Sequence, residues 1–207
     1  MSIIYFPVIL LSFLGYGIFV NKKVLKFKNY NLGILGLIGI FFLTLISYIS
    51  TQFVPHNLIF NSLTIFIGLI FFFNYLGNFG LNKEDIFIIF LLIGFSILFI
   101  LVGKNHDDFH YYHFPYILML TEYPHPIGMG NWNHGFKTHS SLFLTSSLFF
   151  LPGAKYSLFH LLPAYIVFFS NFILLKIIFD KKIQKNFLFI TFLSLSSFIF
   201  INIFFYR

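Results

Sequence analysis

Residues 2–20, SIIYFPVILLSFLGYGIFV, contain no charged side chain. As a helix the stretch would be about 28 Å long, close to the ~30 Å thickness of a bilayer's hydrocarbon core. No Lys or Arg precedes it and no small-residue cleavage pattern follows, so it reads as a retained span rather than a signal peptide. Outward from it the same signal recurs at 32–49, 58–75, 86–102, 156–179 and 187–205, each an apolar run of bilayer-crossing length. The run 140–151, bounded by Pro152 and Gly153, is too short to cross and predicts a re-entrant or interfacial helix.

Composition agrees with this pattern. Of 207 residues, 58% are hydrophobic and 9% charged, with a mean hydropathy of +0.89. An ordinary soluble chain is roughly 25% charged, and a domain of this size could not hide so much apolar surface. The fold class expected is all-α integral membrane: about six transmembrane helices plus interfacial and re-entrant helices in one large external loop. We read 1–207 as a single polytopic membrane domain, without internal repeats or a Pro- or Gly-rich linker. A cytosolic enzyme, a secreted disulfide scaffold and a DNA-binding module are excluded. With no Cys there is no thiolate chemistry. The 35 Phe beside two Ala reflect a composition bias, so phenylalanine stripes alone do not mark a site.

Orientation follows from the cations, because cytoplasmic connections carry the excess of Lys and Arg. Lys22, Lys23, Lys26, Lys28, Lys83, Lys176, Lys181, Lys182 and Lys185 lie in connections on one side, nine of the thirteen. Lys104, Lys137, Lys155 and Arg207 lie on the other. The parity works if 140–151 does not cross, and it puts the N-terminus and the 103–155 loop outside the cytoplasm. The net charge of +7 is thus mostly positive-inside charge, and no nucleic-acid partner is needed to explain it.

The 103–155 loop is where the chemistry concentrates, the other connections being short and bland. It holds six of the eight His (106, 110, 113, 125, 134 and 139), three of the six acidic residues (Asp107, Asp108 and Glu122) and the only Trp, Trp132. Residues 106–122 read as a helix beginning near Asp107 or Asp108, either of which can cap its N-terminus, with Pro115 kinking or restarting it. His106, His110 and His113 would share one stripe; Phe109, Tyr112, Tyr116 and Met119 would form an adjoining aromatic stripe suited to the membrane interface. A stripe of three His is the pattern of a metal face, but Asp108 projects to the opposite side of the same helix. The expected metal site is therefore none, with wet interfacial histidines as the reading. Asp107 and Asp108 can cap the helix; alternatively, a carboxylate beside the bilayer, made more basic by partial desolvation, can accept a proton from a hydroxyl.

The residues Asp108, Phe109, His110, Tyr111, Tyr112, His113, then Gly128, Met129, Gly130, Asn131, Trp132, then Ser140, Ser141, Leu142, Phe143 resemble those of a poorly characterised family of bacterial multi-spanning membrane proteins. That family is similar in turn to the GT-C-type glycosyltransferases, which take a sugar from a polyprenyl-phosphate carrier and pass it to an acceptor outside the cytoplasm. Where such relatives often carry a basic residue and an Asn, this chain has Gly135 and His139, with Lys137 as the nearest cation. The resemblance implies a location in the bacterial inner membrane, a chain that is the N-terminal portion of a longer protein, and a catalytic carboxylate at Asp108, with Asp107 beside it. It implies that Tyr112 and His113 orient the base, that His134, Lys137 and His139 meet the departing phosphate, and that Asn131, Trp132 and Ser140 complete the substrate site. For each a blander role exists: core packing for Tyr112 and His113, interfacial anchoring for the cations and Trp132, a tight turn at Gly128 and Gly130, and capping of the short helix by Ser140 and Ser141.

The implied partners are a polyprenyl-phosphate-linked sugar and the lipid bilayer. No resident cofactor is expected, though a divalent cation is compatible with the residues. Other functions fit the same composition: a transporter or flippase of lipid-linked sugars, a metal-dependent membrane hydrolase built on the His cluster, or a non-catalytic membrane subunit. None of the six acidic residues lies mid-span, which disfavours ion-coupled transport.

Overall fold

In a computed structural model of the chain, the described residues are 2–27, 31–75, 82–102, 109–125, 127–131, 134–137 and 140–205. Among the described residues, nine α-helices follow one another: α1 (Ser2–Val20), α2 (Leu32–Ser50), α3 (Leu58–Tyr75), α4 (Lys83–Val102), α5 (His113–Glu122), α6 (Ser141–Ser147), α7 (Leu162–Phe179), α8 (Lys181–Asn186) and α9 (Leu188–Phe205). Among the described residues there is no strand, only one isolated bridge between Leu151 and Lys155. Four segments among the described residues are long and apolar enough to cross a membrane: Ser2–Leu25, Leu32–Ser50, Leu58–Tyr75 and Tyr156–Phe179.

Local chemistry sets the helix ends. A π-helical turn, Asn21–Leu25, extends α1 until Lys26 takes the left-handed conformation and stops it. The α4 helix starts three residues ahead of the apolar run at 86, because Asn82 and Asp85 form a reciprocal cap. The Asn82 side chain accepts from the Asp85 amide at 2.7 Å, and the Asp85 carboxylate accepts from the Asn82 amide at 3.3 Å. The run expected as one helix over 156–179 is broken. Tyr156–Leu158 forms a single 3-10 turn and α7 begins afresh at Leu162, with Pro163 in its first turn. A continuous helix would drive the Pro163 ring into the carbonyl of the preceding turn.

The α1 helix is the central element, packed against both α2 and α3. Gly17 and Gly39 make the α1–α2 crossing possible: a Cβ on Gly17 would overlap the Leu35 carbonyl, and one on Gly39 the Phe13 carbonyl. Around α1 the core is aromatic. Tyr165 of α7 stacks on Phe6 at 4.6 Å and meets Phe13 and Phe149 edge-on at 5.2 and 5.8 Å. The outer faces carry large exposed apolar side chains, Phe41 on α2, Phe66 on α3, Phe90 on α4 and Phe189 on α9 among them.

The bundle has two chemically different ends. At one end, Lys22 lies 3.9 Å from the Tyr75 ring centroid, and Lys176 of α7 pairs with Asp85 of α4 at 2.7 Å and with Glu84 at 3.5 Å. Lys176 is thus held by the first turn of α4. At the other end lie α5, α6, the α2–α3 connection and the first residues of α1 and α7. There Tyr5 donates to the Pro152 carbonyl at 2.6 Å. The α6 helix is only about 10 Å long, so it cannot span a bilayer.

Candidate functional site

The end of the bundle formed by α5, α6 and the α2–α3 connection has a small core of its own. Tyr116, Leu120, Met129, Phe136 and Leu144 are buried together, with Tyr112, Met119 and Phe143 packed against them. The aromatic stripe expected to face the membrane interface therefore faces protein: Tyr116 is fully buried, its hydroxyl 3.1 Å from His125 Nε2. Burial, reinforced by the Tyr48 phenol, pushes the Tyr116 hydroxyl up to about 12. A 3.6-residue period shows that a stripe is buried but not whether lipid or protein covers it.

The helix expected over 106–122 is regular only from His113; Phe109–Tyr112 forms a turn before it. Pro115 sits in the first helical turn, where its missing N–H costs nothing. This restart removes His110 from the helical face that His113 occupies. Among the described residues, no three His, Asp or Glu converge as a metal site requires. His106, Asp107, Asp108, Trp132 and His139 lie outside the described residues.

Tyr112 and His113 pack as a pair, ring centroids 4.3 Å apart and edge-on, and His113 lies 4.6 Å from Phe143. Gly135 stands where the family resemblance leads one to expect a basic residue, and its place is explained by Tyr112: a Cβ there would come within 2.7 Å of the Tyr112 ring. Gly128 has φ +83° and turns the chain into the 3-10 segment Met129–Asn131, closed by the Asn131 amide donating to the Gly128 carbonyl at 2.9 Å. His134 and Lys137 bound a second 3-10 turn and are exposed, as is Asn131. Ser140 is the residue preceding α6, but its side chain makes no capping bond; its carbonyl accepts from Phe143 and Leu144 instead.

Among the described residues, two separate clefts at this end bear on the site. One, of about 460 Å³, is lined by Phe109, His110, Phe114, Tyr156, Ser157 and His160 together with Ser2 and Ile100. The other, of about 450 Å³, is lined by Tyr48, Gln52, His125, Ile127, Gly128, Met129, Gly130, Phe136, Lys137 and Leu144. They share no lining residue, so Lys137 and His110, both singled out by the sequence, open into different clefts. His160, outside the His-rich loop in sequence, joins the first: its ring lies 6.2 Å from Phe109.

A buried polar network holds these parts to the bundle. His56, in the α2–α3 connection, is wholly buried. Its Nδ1 is 2.6 Å from the Ser147 hydroxyl of α6 and its Nε2 is 2.7 Å from the Ser50 hydroxyl of α2. A neutral imidazole carries one ring proton, so His56 donates to one of these hydroxyls and accepts from the other. The Asn61 amide donates to the carbonyls of His56, Ser147 and Phe150 at 2.6, 2.8 and 3.1 Å. The His56 amide donates to the Leu120 carbonyl at 2.8 Å and the His125 amide to the Thr51 carbonyl at 2.6 Å, tying α5 to the same connection. Burial lowers the His56 imidazole to about 4, so it is neutral at physiological pH.

The family model for a domain of unknown function, DUF8201, matches residues 1–207, and the chain belongs to that family. No curated protein and no solved structure matches the chain.

Proposed function

We propose that the protein is an integral protein of the bacterial cytoplasmic membrane whose α1, α2, α3, α4, α7 and α9 all cross it, with the lysine-rich end in the cytoplasm. We further propose that it acts as a GT-C-like glycosyltransferase, moving a sugar from a polyprenyl-phosphate donor to a cell-envelope acceptor on the outer face. The observation that carries this reading is the cleft lined by Phe109, His110 and His160. Asp108 is the residue covalently next to Phe109, and the cleft has room for a sugar unit between aromatic walls.

The proposed step is a displacement at the anomeric carbon. The acceptor oxygen bonds to that carbon, the carbon–oxygen bond to phosphate breaks, and the polyprenyl phosphate leaves with the electron pair. The acceptor proton passes to the Asp108 carboxylate. Intramembrane chemistry supports transfer over ion-coupled transport: among the described residues, the Lys side chains inside the candidate spans, Lys22, Lys23 and Lys176, sit in the last four residues of their segments, and Asp85 and Glu84 already engage Lys176.

The test is transfer from synthetic polyprenyl-phosphate hexoses in membranes carrying the full-length protein. Asp108→Asn should insert normally and lose roughly a hundredfold or more of the transfer rate, the range for a positioned base, while Asp107→Asn keeps it. Undiminished transfer by Asp108→Asn with loss in Asp107→Asn would move the base by one residue. Undiminished transfer by both would remove catalysis from this loop.

A further inference from the structure

We propose that the acceptor is an uncharged lipid bearing a free hydroxyl, with its head beside Phe109 and His160 and its hydrocarbon chain in an apolar trough between α1 and α4. Its role as acceptor rests on the transfer proposed above, whereas its seat rests on the shape and lining of the protein.

The trough has a volume of about 410 Å³, and all fourteen side chains that line it are apolar. The α4 helix leans on α7, where Lys176 holds Asp85, and touches α1 little, so α1 and α4 stand apart across the trough. Along α1 the lining runs from Ile3 to Leu14, roughly 16 Å, and along α4 from Ile89 to Ile97. Its α1 and α7 walls belong to segments of membrane-crossing length, so what fills it comes from the hydrocarbon of the bilayer. Water has no polar partner there, and an empty apolar space forfeits contacts that one acyl chain restores.

The same two helices carry these walls on into the cleft beside Phe109. Ser2 and Ile100 line that cleft, and Ile3 and Ile97 line the trough. Ser2 adjoins Ile3, while Ile97 and Ile100 lie one turn apart on α4. Over that turn the lining changes from apolar side chains to His110, Tyr156, Ser157 and His160. Pro7 adds a backbone acceptor: it has no N–H to give the Ile3 carbonyl, which lacks its usual helical donor at the level where the two spaces meet. A polar head continued by an apolar chain is the form of an amphiphile.

Charge decides which amphiphile. Among the described residues no Lys or Arg lines either space, and Lys155, next to Tyr156 in sequence, is in neither wall. A phosphate seated here would lose its water without gaining a cation, which is costly. A hydroxyl instead meets imidazole and phenol groups that can give and accept hydrogen bonds. The occupant is thereby set apart from the phosphate-bearing donor. In the displacement described above, the lipid hydroxyl is the attacking oxygen and its proton goes to Asp108, covalently next to Phe109.

The experiment is photolabelling of the full chain in phosphatidylcholine nanodiscs with a monoacylglycerol whose acyl chain carries a diazirine, followed by peptide mass spectrometry. Saturable labelling of α1 and α4 is expected, displaced by monooleoylglycerol and not by an equal concentration of farnesyl phosphate. Leu11→Trp and Ile93→Trp, which fill the trough from opposite walls, should each cut the labelling about tenfold or more, while Phe90→Trp on the exposed face of α4 leaves it unchanged. The displacement pattern of the unaltered chain decides the seat even if a filled variant fails to fold. Asp108→Asn should be labelled like the unaltered chain. With a polyprenyl-phosphate hexose as donor, the monoacylglycerol should become glycosylated, and Ile93→Trp should stop this. Labelling that does not saturate, or equal displacement by farnesyl phosphate, would overturn the seat. Saturable labelling with glycosylation of other acceptors only would overturn the role as acceptor and keep the transfer; glycosylation of no acceptor would overturn both and leave the seat established.

Discussion

His56 shows how much a single residue can decide and how little of that is visible in a sequence. Its partners, Ser50, Ser147 and Asn61, are ordinary small polar residues in apolar surroundings, and Ser147 is 91 positions away. Nothing local marks them as one network, whereas the His-rich 106–139 stretch draws attention by density alone. The α2–α3 connection that anchors the site therefore carries no signal in the sequence. The network also has a pH signature. His56 is held at about 4 when folded against about 6.5 when unfolded, so the unfolded chain binds the extra proton between those values. Its contribution is complete above pH 6.5 and is lost as pH falls toward 4, by roughly 3 kcal/mol at most. In detergent, His56→Gln should lower the unfolding temperature at pH 7.5 yet show a shallower decline between pH 6.5 and 4.5 than the unaltered chain. Parallel declines would show that His56 does not carry this pH dependence.

At the scale of elements, apolar length made the spans legible: the ends of α1, α2 and α3 fall within a residue of the apolar runs. How the helices are held together was not legible, because close helix contact depends on which glycines face each other. Gly39 does and Gly94 does not: an added Cβ on Gly94 meets nothing within 4 Å. Gly39→Leu should therefore cost roughly 3 kcal/mol or more by forcing α1 and α2 apart, while Gly94→Leu leaves the unfolding temperature nearly unchanged. Equal effects of the two would refute the crossing. The α9 helix is held differently. Asn171 of α7 and Asn202 of α9 exchange amide hydrogen bonds at 2.9 and 3.2 Å, a polar clamp between helices whose outer surface is otherwise apolar. Asn202→Leu should destabilise the α7–α9 pair by about 1 kcal/mol, the size found for hydrogen bonds between membrane helices, and Asn171→Leu with Asn202→Leu should cost little more than either alone. Additive losses would mean that the two amides do not act as a pair.

At the scale of the whole molecule, the arrangement is a division of labour between two ends. Lysines and their acidic partners gather where α1, α3 and α7 finish and α4 starts; histidines, aromatic rings and both clefts gather at the opposite end. That separation was legible because the count of cations in alternating connections does not depend on how side chains pack. The interior of the 103–155 loop was not, since its core forms from contacts among α5, α6 and two 3-10 turns that no single periodicity reports. The proposed chemistry needs the cleft-bearing end outside the cytoplasm, where polyprenyl-linked donors are used. The chain has no Cys, so single cysteines can report each end. The most direct measurement is labelling of intact cells with a membrane-impermeant maleimide. Asn131→Cys should label at once and Lys185→Cys only after the membrane is opened. Labelling of Lys185→Cys in intact cells, with Asn131→Cys protected until permeabilisation, would place both clefts in the cytoplasm and contradict the account.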